Sequence, residues 1–96
     1  MSPKERKQLK ILRKKLDILD NSFIKLLKKR SRLVSQVLKL KKHRSQIVDK
    51  KRISVILKNI KRKSVNNNID PKISKRIWKN MIAAFIDYER RNFKSK

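Results

Sequence analysis

Apolar residues recur at alternating steps of three and four from Leu9 to Leu40. The row is Leu9, Leu12, Leu16, Leu19, Phe23, Leu26, Leu33, Val37 and Leu40. Such spacing is one face of an α-helix and predicts a helix from about residue 4 to about residue 42. One place in the row is wrong: position 30, where the stripe needs an apolar side chain, holds Arg30. A parallel row through Leu27, Val34 and Val37 runs into Lys41. Further on, Ile53, Ile56, Leu57 and Ile60 share a face and predict a second helix over about 49–63, with Asp49 as its N-cap. Ile73, Ile77, Trp78, Met81, Ile82, Phe85 and Ile86 predict a third helix over about 71–92 with these side chains turned inward. One turn beyond Phe85 the same face reaches Glu89.

The punctuation agrees. "SPKE" (Ser2 to Glu5) reads as a capping box with proline at the first helical position. "IDPKI" (Ile69 to Ile73) offers Asp70 as an N-cap followed by Pro71. The polar run "SVNNN" (Ser64 to Asn68) marks a loop over 64–70. The stop of the first helix, between Lys42 and Val48, carries no Gly or Pro signal. β-Branched residues recur at helical rather than alternating spacing, so the expected fold class is all-α: three helices in one domain, 1–96.

Length then bears on assembly. A helix over 4–42 would be roughly 55–60 Å long at 1.5 Å per residue. A compact globule of this chain length has a radius of gyration of about 12–13 Å, hence a diameter on the order of 32 Å. The remaining residues cannot cover so long an apolar stripe. A second copy laid along it would, so the expectation is an intertwined homodimer.

Composition narrows the chemistry. The net charge is +24, with 31 Lys and Arg against 7 acids. That balance favours anionic partners: nucleic acid, an anionic membrane or a small polyanion. There is no cysteine, so no disulfide framework and no thiolate metal site, and His43 is the only histidine, which excludes a multi-histidine metal site. The first residues carry no signal-peptide pattern, and no stretch approaches the roughly 18 apolar residues of a membrane span. The expectation is a cytoplasmic protein.

The residues that break the apolar pattern are the candidates for function. Arg30 and Lys41 are 11 residues apart, three turns, and share a face about 16 Å apart along the axis. Arg13 lies 17 residues before Arg30, about 25 Å away and roughly 100° around the helix, so it can only join a pocket of a partner copy running antiparallel. Asp49 and Arg52 are one turn apart. Glu89 is one of few acids and sits on an apolar face, where it can simply pair with Arg30 or Lys41. A lone Arg on such a stripe commonly snorkels or pairs with a carboxylate.

These residues bring a family into view. The chain resembles the all-helical chorismate mutases through "LRKKLDILDNSFIKLLKKRSRLVSQVLKLKK" (Leu12 to Lys42), "DKKR" (Asp49 to Arg52) and "IDPKISKRIWKNMIAAFIDYE" (Ile69 to Glu89). The shared pattern is an L-R-x-x-I-D-x-I-D opening, an Arg in an L-L-x-x-R stretch, a Lys eleven residues later, a D-x-x-R turn and a last helix ending in Gln or Glu. The resemblance implies a three-helix chain that dimerises by intertwining its first helices. It implies an enzyme without metal or cofactor that converts chorismate, a dicarboxylate, to prephenate by an intramolecular Claisen rearrangement in aromatic amino-acid biosynthesis. By position, Arg30 and the partner's Arg13 would clamp the carboxylates. Lys41 would donate to the ether oxygen and a carboxylate, and a protonated Glu89 would donate to the same oxygen. Asp49 and Arg52 would border the ring hydroxyl and a carboxylate.

Two positions depart from the pattern. Ile53 stands where many of these enzymes have a Glu facing the ring hydroxyl, and Phe85 stands where many have a Ser. Both are similar to the related isochorismate-pyruvate lyases, which share the fold and form salicylate, but whose final residue is Gln. A different class of reading is a basic helical dimer that binds nucleic acid through phosphates. Against it, the cations are spread around every helix, and no zinc knuckle, RNP-like motif or short helix-turn-helix pair is present. A salt-sensitive, nonspecific association with nucleic acid is compatible with the charge.

Overall fold

The computed structural model describes residues 1–94, and all regular structure among them is helical. Helix α1 spans Pro3–Leu40, α2 spans Lys50–Asn66 and α3 spans Pro71–Asn92, with a short 3-10 turn at Arg44–Gln46. No helix among the described residues is long and apolar enough to cross a membrane. The chain divides into two compact units, Met1–Leu33 and the residues from Val34 onward.

The first unit is the larger part of α1. Its start is the capping box read from the sequence: the Glu5 N–H donates to Ser2 Oγ at 3.1 Å, and the Ser2 N–H donates to Glu5 Oε1 at 3.3 Å. Hydrogen bonding from Ser2 to the Glu5 carboxylate, from the Ser2 side chain foremost and then from its N–H, holds that carboxyl below its ordinary value. Along α1 the apolar stripe is uncovered in the single chain: Leu12, Leu16, Leu19, Phe23 and Leu26 are each about half exposed or more. Residues Ile11, Ile18 and Ile24 widen the exposed surface.

The second unit is the last turns of α1, a short connection, and the α2–α3 helical hairpin. Helix α1 stops at Leu40, two residues before the expected end, so Lys41 sits just past the helix. Its N–H still reaches Leu38 O at 3.1 Å, a tightened last turn. The Gln46 side chain then organises the connection by accepting from the N–H groups of Lys42 and His43 at 2.7 and 2.9 Å. Asp49 caps α2, its Oδ1 accepting from the Arg52 N–H at 3.0 Å, and Asp70 caps α3, accepting from the Lys72 N–H at 2.9 Å.

The loop expected over 64–70 is shorter, because α2 continues to Asn66. What stops it is Asn68, which takes a left-handed backbone at φ 55°. The Ile69 N–H then bonds Ser64 O and the Asn68 N–H bonds Val65 O, which together make a Schellman motif. In a chain with no glycine, asparagine is the residue best suited to that position.

Ser64 and Ser74 make the tight seam between α2 and α3. Both are buried, with hydroxyls 2.6 Å apart. Ser64 Oγ also donates to Ile60 O at 2.6 Å, so its one proton is committed and Ser74 is the donor between the two. The small serines set which face of α3 is inner, and that corrects the expectation for two residues. Ile73 and Ile77, expected inward, flank the Ser74 row and are exposed in the single chain. Trp78, Met81, Ile82, Phe85 and Ile86 are half-buried.

Candidate active site

The second unit brings Lys41 and Glu89 together. Lys41 Nζ lies 2.8 Å from Glu89 Oε2, across 48 residues of sequence. Glu89 is only 7 % exposed, and Lys41 is also mostly covered. Lys41 additionally donates to Ile47 O at 3.4 Å, and Ile47 is itself buried. The ammonium is therefore fixed from two sides: by the connection after α1 and by α3. Tyr88, next to Glu89, exchanges a hydrogen bond of 3.0 Å with Ser35. That bond locks the rotation of α3 against the end of α1 and so fixes where Glu89 points.

At the far end of the connection, Arg44 reaches the C-terminal end of α3. Its Nη1 donates to Arg90 O at 3.3 Å and its guanidinium lies 5.4 Å from the Phe93 ring centroid. A cation over an aromatic face at an exposed site contributes about 0.5–1 kcal/mol.

Asp49 and Arg52 are joined by the cap of α2 and have exposed side chains. Ile53 and Phe85 are half-buried. In the first unit, Arg13 is exposed, whereas Arg30 is half-buried and its Nε is a buried N–H without a hydrogen-bond partner. A buried donor left unmade costs about 1–3 kcal/mol, so the Arg30 guanidinium is well suited to an anionic oxygen.

Sequence reasoning missed Ser35, Gln46 and Tyr88. A hydroxyl beside an apolar face, as in Ser35 and Tyr88, was the available signal. The Gln46 bonds had none.

The chemistry on offer is that of two donors converging on one point, an ammonium and, when protonated, a carboxyl. Neither is a nucleophile set up by a neighbouring base. A family model described as chorismate mutase type II matches residues 12–90. The chain belongs to this family. Chorismate mutases are isomerases, and the matched stretch contains every candidate site residue read from the sequence, from Arg13 to Glu89. The match supports the mutase reading of the chain over the lyase one. No curated protein and no solved structure matches the chain.

Proposed function

We propose that this chorismate mutase works as a homodimer in which Lys41 and Glu89 of one chain stabilise the breaking C–O bond of chorismate. The observation that carries this reading is the 2.8 Å approach of Lys41 Nζ to the Glu89 carboxyl. In the rearrangement one C–O bond breaks and one C–C bond forms within the same molecule. Electrons move around a six-membered ring, and no proton or group is transferred. What a protein can add is a folded conformer of the substrate and stabilisation of the negative charge that grows on the ether oxygen.

In the empty chain Lys41 donates to Glu89. With substrate present, the ether oxygen enters between them and receives a hydrogen bond from each. An ionised Glu89 only accepts and would oppose the growing charge, so its working form is protonated. Arg30, with its unpartnered Nε, and the partner's Arg13 bind the two carboxylates, a task suited to planar guanidinium donors. Asp49 and Arg52 border the ring hydroxyl and a carboxylate, with Ile53 and Phe85 as apolar walls.

The dimer is supported by the uncovered stripe of α1. Its leucines and Phe23 bury little in one chain, whereas a second copy along the stripe would remove them from water at about 25 cal/mol per Å². Product analysis with chorismate and isochorismate supplied separately tests the activity. Prephenate from chorismate supports it. Salicylate and pyruvate from isochorismate, with no prephenate, would replace it by the lyase reaction.

A further inference from the structure

A groove of about 590 Å³ runs along the α2–α3 hairpin. Six lysines border it: Lys50, Lys58 and Lys61 from α2, and Lys72, Lys75 and Lys79 from α3. No acid lines it. Its floor is apolar, made chiefly of Ile53, Leu57 and Ile60. At 100° per residue, Lys58 and Lys61 stand on the flank of this row opposite Arg52, so the groove opens away from Arg52, and Ile53 is the one floor residue it shares with the proposed substrate pocket. All six lysines are exposed, while the three floor residues are half-buried.

From this arrangement we infer that the α2–α3 groove is a docking site for an acidic amphipathic helix of another protein. Shape, charge and polarity select this occupant. From Lys50 to Lys61 is 11 residues, about 16 Å or three helical turns. A helix of that length and about 5 Å radius, sunk to half its depth, displaces roughly 600 Å³, which matches the groove. Its apolar stripe would cover Ile53, Leu57 and Ile60, and acids on its two flanks would meet the lysines on the two walls. A small anion engages two or three of the six lysines and leaves the others repelling one another. A nucleic-acid backbone satisfies the lysines but has no apolar stripe for the floor.

The test uses a helical peptide of about 18 residues with a leucine stripe flanked by glutamates, and a scrambled peptide of the same composition, titrated into the full chain at about 0.15 M salt. The patterned peptide is expected to bind at least tenfold more tightly than the scrambled one. Replacing Lys58, Lys61 and Lys75 by Glu should weaken it at least tenfold more than replacing the exposed Lys4, Lys7 and Lys94 by Glu. If the groove triple fails to fold, the Lys58→Ala/Lys75→Ala pair serves, with a threefold or greater loss expected. Equal binding of the two peptides, or equal losses in the two charge-reversed triples, would reduce the effect to net charge and overturn the proposal. It would also be overturned if a DNA duplex bound more tightly than the patterned peptide with the same dependence on the groove lysines, or if the groove variants lowered the mass of the assembly and bound no less peptide.

Discussion

Lys41 and Glu89 form an ion pair 2.8 Å long, with the carboxylate almost wholly removed from solvent and the ammonium tied to Ile47 O. An isolated buried pair is weak grounds for stability, because desolvation offsets most of the attraction. In the proposed reaction the pair has a use. The ammonium and, once protonated, the carboxyl are held at one point by different segments, and a substrate oxygen can accept a hydrogen bond from both.

Lys41→Met should therefore lower kcat about 100-fold or more, the range seen when a donor to a developing oxyanion is removed. KM should change less. The uncharged side chain also leaves Glu89 without its partner, so the variant should be less stable, by about 1–3 kcal/mol in denaturant titration. A variant with unchanged kcat would show that Lys41 is structural only.

Arg13 acts across the dimer in this account. Arg13→Ala and Lys41→Ala chains should each be nearly inactive. After joint refolding, half the dimers are mixed and hold one intact site of two, so about a quarter of wild-type activity should return. No recovery would show that each chain builds its site alone.

The exposed α1 stripe predicts assembly. Sedimentation at micromolar concentration should give about twice the 11.6 kDa chain mass. Phe23→Lys, at the middle of the stripe, should drive the chain toward monomer with loss of cooperative unfolding. A folded, helical wild-type monomer would contradict the intertwined arrangement.

In the proposed site Ile53 is an apolar wall at the place where a carboxylate would face the ring hydroxyl. Ile53→Glu should change KM for chorismate severalfold and leave kcat within about threefold, because it touches uniform binding rather than the breaking bond. Steady-state rates check this, and a kcat loss as deep as that of Lys41→Met would assign Ile53 to the bond-breaking step instead.

Much of this was legible in the sequence because helices are local. Steps of three and four, the Ser2–Glu5 box and the Asp49 and Asp70 caps involve residues within a turn of each other, and each is present in the structure. The apolar rows also exposed Arg30, Lys41 and Glu89 as misfits. Periodicity names a face but not its neighbour, however. Whether Glu89 met Arg30 or Lys41 was open, since a contact across 48 residues leaves no local trace. Ile73 and Ile77 were misplaced for the same reason: the serine seam, not the largest side chains, sets the inner face of α3. The end of α2 was misjudged because "SVNNN" is polar, and only Asn68 among its residues leaves helical backbone for a left-handed turn.

The pH dependence of kcat for wild type and Glu89→Gln tests the central claim most directly. A carboxyl donates only while it keeps its proton, so wild-type turnover should decline as pH rises and Glu89 ionises. The glutamine amide donates at every pH and nearly keeps the shape. Glu89→Gln should lose the alkaline decline and match or exceed wild type at about pH 8. A Glu89→Gln enzyme whose activity falls with rising pH just as wild type does would contradict the account and remove Glu89 from the chemistry.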